Sequence, residues 1–122
     1  MIAPLMMCVS VLLLLCGMLG GILMGMTQDF SLAPAHAHLN LIGGVLLFLF
    51  GLYYRLVPQA GASVLAKIQG CLHIVGAIMF PIGVAIVISK GESMVAVPII
   101  GSLVVLTAVA LFAAIVFRTT KA

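Results

Sequence analysis

Charge is what this sequence has least of. Only 6% of its 122 residues are Asp, Glu, Lys or Arg, against 66% that are hydrophobic. No soluble domain of this length could hide so much apolar surface, so nearly all of it must face lipid or other helices. The five cations are scattered singly, which excludes a basic surface for nucleic acid. Long polar stretches are lacking too. The turn-forming segments TQDFSLAP, PQAGA and KGES separate four apolar runs and leave no room for a soluble domain.

Other absences narrow the reading further. The first run lacks a basic leader and an A-x-A cleavage site, and LLLLCG has leucine where a lipoprotein motif wants a small residue, so this span is expected to be retained. No C-x-x-C-H occurs, which excludes covalent c-type haem attachment. Met6, Met7, Met18, Met24, Met26 and Met79 form no M-x-x-M ladder, so packing is favoured over a copper path. Cys8, Cys16 and Cys71 fall inside the runs and read as small buried thiols.

What is present is a membrane pattern. Backbone groups in hydrocarbon must be satisfied within their own segment, which makes the four runs helices. They are expected at 4–26, 35–57, 64–89 and 95–117, each close to the ~20 residues that cross a bilayer core. The expected fold is all-α: an integral membrane four-helix bundle of up-down topology, one transmembrane domain over residues 1–122. Arg55 and Lys67 bracket the second linker, and Arg118 and Lys121 follow the last span. The first and third linkers hold only Asp29, Lys90 and Glu92. The positive-inside rule therefore puts both termini in the cytoplasm, and the first linker on the periplasmic side of a bacterial inner membrane.

Histidine is scarce, with three in all, and two of them stand in SLAPAHAHLNLIGG at the outer mouth of the second run. His36 and His38 lie ~200° apart on a helix, so each faces its own neighbour. His36 shares its face with Asn40, Gly43 and Gly44; His38 shares its face with Ile42, Val45 and Leu49. Such a helix suits two flat cofactors, one on each side. The plainer alternative is a pair of interfacial imidazoles, hydrogen-bonded and without a ligand. In the third run, His73 has Gly70 and Ala77 beside it, which leaves room for a planar group; the alternative is a buried histidine capped by a neighbour's carbonyl. Pro81 is expected to kink this helix. Counted from Arg55 and Lys67, His38 lies ~16 Å further out than His73, too far for both to bind one iron. On the first run, Gly17, Gly21 and Gly25, with Gly20 beside them, allow close approach of a helix from the same chain or from another copy. The fourth run reads as a packing helix.

The stretch HAHLNLIGGVLLFLFGLYYRLVP, residues 36–58, resembles the haem-ligating helix of the catalytic subunit of C-type heme–copper oxidases. The likeness lies in H-x-H, a following glycine, and an ending similar to F-G-x-x-Y-x-L-V-P: Phe50, Gly51, Tyr54, Leu56, Val57 and Pro58. Residues 71–91 are similar to the next helix of that subunit, with Ile74, Gly76 and Gly91 in comparable places. The resemblance implies that His36 holds a high-spin haem and His38 a low-spin haem. It also implies a second low-spin ligand, three copper-ligating histidines and a cross-linked tyrosine, which three histidines in all cannot supply. A stand-alone terminal oxidase is excluded.

The expectation is a membrane protein binding b-type haem, with His36, His38 and His73 as candidate ligands and Asn40, Gly43 and Gly44 lining the site. Two or three copies would supply ligands at equal depth. It would transfer electrons with a redox partner, or bind a diatomic gas such as NO or O2. The alternatives are a protein gathering copper or zinc at its outer face, and a structural accessory subunit of a respiratory complex.

Overall fold

The computed structural model describes residues 1–121; it is about nine-tenths helical, and no strand occurs among the described residues. The first span is α1, Ile2–Thr27. The second, Ala33–Leu56, is a composite of α2 (Ala33–His38), a π-helix (Leu39–Leu46) and α3 (Leu47–Leu56). A single turn, α4 (Pro58–Gly61), leads to the third span, α5 (Val64–Lys90), and the fourth is α6 (Ala96–Thr120). All four spans are long and apolar enough to cross a membrane.

Local chemistry sets the boundaries. Gln28 closes α1 in the left-handed conformation. Asp29 Oδ1 then accepts from Ser31 N–H at 3.0 Å, and that bond holds its carboxyl below the usual range. Pro34 and Pro58 stand in the first turns of α2 and α4, where a missing N–H costs nothing. Ser63 caps α5 by accepting from Ala66 N–H at 3.1 Å. Gly91, at φ 87°, provides the left-handed step that ends α5. Pro81 does not break α5, which runs continuously through it.

Neighbouring spans pack antiparallel. A methyl group on Gly21 would meet His36, one on Gly17 would meet Asn40, and one on Gly51 would meet Met6 and Met7. Likewise α5 and α6 close on each other through Gly76 at Val105, Gly101 at Phe80 and Gly83 at Pro98, where the backbones nearly touch. Without a hydrophobic drive between helices in lipid, such close approach is how they gain packing energy. The tightest core sits at one end of the bundle, around Ile2, Met6, Leu47, Phe50, Tyr54, Ala60 and Ile115. There Phe112 of α6 stacks on Phe50 at 3.9 Å between ring centroids. The histidine pair lies toward the opposite end.

The outward faces are apolar, with Leu12, Leu19 and Leu23 of α1 and Leu103 and Leu106 of α6 all exposed. Such a surface suits lipid and is untenable in water. The three cysteines belong to it: Cys8, Cys16 and Cys71 are exposed on the bundle surface, not buried as thiols inside it. Periodicity alone does not show which side of an almost wholly apolar helix turns inward.

Candidate functional site

His36 and His38 face different neighbours. The His36 ring lies on α1 over Gly21, where an added methyl would stand 2.9 Å from Cε1. Asn40, one turn on, donates from Nδ2 to His36 Nε2 at 3.2 Å and fills the notch at Gly17. This places the proton of His36 on Nδ1, which is enclosed and unpartnered, as is Asn40 Oδ1. His36, Asn40, Gly43 and Gly44 do share a face, as their spacing indicates. Its occupant is α1: Leu13 packs into Gly43 and Leu14 into Gly44, each within 2.9 Å of where a methyl would be. The space expected beside Gly43 and Gly44 for a cofactor is therefore filled by leucine side chains.

Two grooves reach this face. One, of about 280 Å³, is walled by Gly17, Gly20, His36, Leu39, Pro81 and Ile82, and the other, of about 330 Å³, by Ser10, Leu14, Gly44, Val45 and Phe48. Both lie near the lower end of the ~300–1,000 Å³ of most small-ligand sites. With Gly21 against His36 and with Leu13 and Leu14 in the notches at Gly43 and Gly44, α1 leaves no slot for a planar group beside His36.

His38 is arranged differently. Its Nδ1–H donates to the Pro34 carbonyl at 2.6 Å, and its ring stands edge-on to Phe80 of α5, 4.6 Å between centroids. The tether fixes the tautomer, so Nε2 carries the lone pair, and among the described residues it has no hydrogen-bond partner. An imidazole held by one nitrogen to a carbonyl, with the other free, is the usual arrangement of a metal-ligating histidine. On the same span Val45 and Leu49 are exposed, but Ile42, expected on that face, is buried. The π-helix keeps Ile42 on the α5 side with His38 and turns Val45 and Leu49 off that face, toward a groove shared with Ser10, Val11 and Leu14 of α1.

His73 is wholly buried, and its Nε2–H donates to the Ile42 carbonyl at 3.1 Å. The Phe50 ring closes over it edge-on at 4.9 Å. The room expected beside it at Gly70 is taken by Ile2 and Met6. Its Nδ1 is enclosed and unpartnered, and so is Nε2 of Gln69, one turn earlier. Gln69 Oε1 accepts from Tyr54 O–H at 2.9 Å. His38 stands level with Phe80, seven residues beyond His73, so the two imidazoles are separated by about 10 Å along α5 rather than ~16 Å. That gap is still too great for one iron.

Among the described residues no three His, Cys, Asp or Glu side chains gather to hold a metal ion. Two features escaped the sequence reading, the π-helix itself and Ser10, whose Oγ donates to the Gly44 carbonyl at 2.7 Å. The signal for Ser10 was present: it is a lone hydroxyl in the apolar first half of α1. No protein-family model, curated protein or solved structure matches this chain.

Proposed function

We propose that this chain is a b-type haem-binding protein of a bacterial inner membrane, in which His38 supplies an axial ligand and a further copy of the chain completes the site. One observation carries the reading: His38 is tethered through Nδ1 to Pro34 and keeps Nε2 free at the bundle surface. The resemblance of residues 36–58 to an oxidase haem helix agrees with it and points to a low-spin haem at that position. When bound, such a haem supplies a one-electron couple whose potential is set by its axial ligands and surroundings.

Within this reading electron transfer is favoured over gas binding. The resemblance assigns the high-spin, gas-binding haem to His36, and the face of His36 is taken by α1, Gly21 and Asn40. Phe80, edge-on to His38, would seat the group by apolar contact. In this reading His38 lies on the periplasmic side with both termini inside, which the cation distribution supports. Copper or zinc would also require ligands from a further copy, because no three donors gather among the described residues.

A second reading, a structural accessory subunit of a respiratory complex, is favoured by the filled notches at Gly43, Gly44 and Gly70. An absorption spectrum separates the two. Protein purified in mild detergent from haem-replete cells is expected to show a Soret band that His38→Ala abolishes. A folded preparation without that band would remove the haem reading and leave the structural one.

A further inference from the structure

The second span leaves α geometry only between Leu39 and Leu46, directly after the histidine pair. The rotation this produces can be read from three contacts with α5. Tyr54 bonds Gln69, Phe50 packs on His73, and His38 packs on Phe80. In an unbroken α-helix, at 3.6 residues per turn, positions sixteen apart differ by about 160°. Tyr54 facing α5 would then turn His38 away from it. A helix closed by i→i+5 bonds turns less per residue. Eight residues in this form bring His38 round to the neighbour that Tyr54 already faces.

A wide turn in hydrocarbon needs its carbonyls partnered from within the protein. Two side chains from opposite neighbours do this. Ser10 Oγ of α1 donates to the Gly44 carbonyl at 2.7 Å, and His73 Nε2–H of α5 donates to the Ile42 carbonyl at 3.1 Å; both bonds are buried. Both carbonyls also accept the Leu47 N–H, Ile42 through the i→i+5 bond that ends the π-helix and Gly44 through an i→i+3 bond, so each side-chain donor takes a second lone pair. Local sequence offers no reason for LNLIGGVL to prefer this form: its two glycines permit it, and the two external donors select it.

We infer that Ser10 and His73 are positioning residues that hold Leu39–Leu46 as a π-helix and thereby set the faces on which His36 and His38 are presented. The helix geometry stands on these contacts alone; its consequence for a haem ligand rests on the function proposed above.

The test uses the full chain with Cys8, Cys16 and Cys71 replaced. One cysteine pair, His38→Cys with Phe80→Cys, reports on the outer half of the second span. A second pair, Tyr54→Cys with Gln69→Cys, reports on the inner half. Both are expected to cross-link in membranes with a bifunctional thiol reagent that spans about 10 Å, since side chains meeting at their tips hold their Cα atoms beyond disulfide reach. Adding His73→Leu should lower the 38/80 yield at least about fivefold and leave 54/69 unchanged, and His73→Gln, which keeps a donor at similar reach, should restore it. An unchanged 38/80 yield with His73→Leu overturns the inference, whether or not haem binds. If His73→Leu abolishes both cross-links by preventing folding, Ser10→Ala is the deciding variant: a 38/80 yield unchanged relative to 54/69 again overturns it. In haem-loaded protein with His38 intact, His73→Leu should also shift the Soret maximum and His73→Gln restore it. A wild-type chain without a Soret band defeats the haem reading alone, because the cross-linking arm needs no haem.

Discussion

The imidazole of His36 lies over Gly21 of the same chain, so close that a methyl there would stand 2.9 Å from its Cε1. With Asn40 seated at Gly17, this turns the glycine stripe of α1 into a docking surface for the second span. Gly17 and Gly21 are therefore not available as an interface between copies.

Substitution along that stripe should separate these roles. Gly17→Leu and Gly21→Leu force Asn40 and His36 to move and should each destabilise the protomer by about 1–3 kcal/mol, the usual cost of overpacking. Gly20→Ala and Gly25→Ala meet open space and should change little. Thermal melts in detergent measure the difference. Loss of assembly by Gly21→Leu with an unchanged melting temperature would return the stripe to an interface between copies.

The two histidines of H-x-H should behave unequally. His38→Ala is expected to abolish the Soret band, because it removes the free Nε2. His36→Ala removes only a partner of Asn40 and should leave haem content largely intact. Equal loss in both variants at equal protein stability would give His36 a ligand role.

Tyr54 and Gln69 form a buried pair, and removing one partner should cost more than removing both. Tyr54→Phe strands the Gln69 carbonyl oxygen in the core, at about 1–3 kcal/mol. Adding Gln69→Leu should recover part of that loss, and a double-mutant cycle is expected to return a coupling of about 0.6 kcal/mol or more. A coupling of zero would mean that the bond contributes nothing to the bundle.

Orientation is tested by single cysteines in the background without native ones. A membrane-impermeant reagent applied to intact cells should label Ser31→Cys and spare Ser63→Cys. The reverse pattern would invert the orientation proposed here and place His38 in the cytoplasm.

None of the main grooves among the described residues is lined by His38, so haem should be found only on assembled protein. Native mass spectrometry is expected to show haem on dimers or trimers. A haem-loaded monomer would mean that the bundle opens to admit it.

The four spans were legible in the residues because run length and bilayer thickness decide them locally: 64–89 was read for Val64–Lys90, and 35–57 for Ala33–Leu56. Local periodicity also put His36, Asn40, Gly43 and Gly44 on one face, since positions one and two turns apart are neighbours on any helix. What that face meets was not legible. A notch of small residues has the same local pattern whether a porphyrin or a leucine enters it, and only the placement of Leu13 and Leu14 decides for leucine. The π-helix lay further out of reach. It depends on hydrogen bonds from Ser10 and His73 to carbonyls 34 and 31 residues away, and no window of local sequence contains both ends of such a bond. The residues thus determined that the chain forms four apolar helices with its histidines grouped at known positions. Tertiary contact decided that His36 is held between Gly21 and Asn40, that His73 is spent on a backbone carbonyl, and that His38 keeps a nitrogen free.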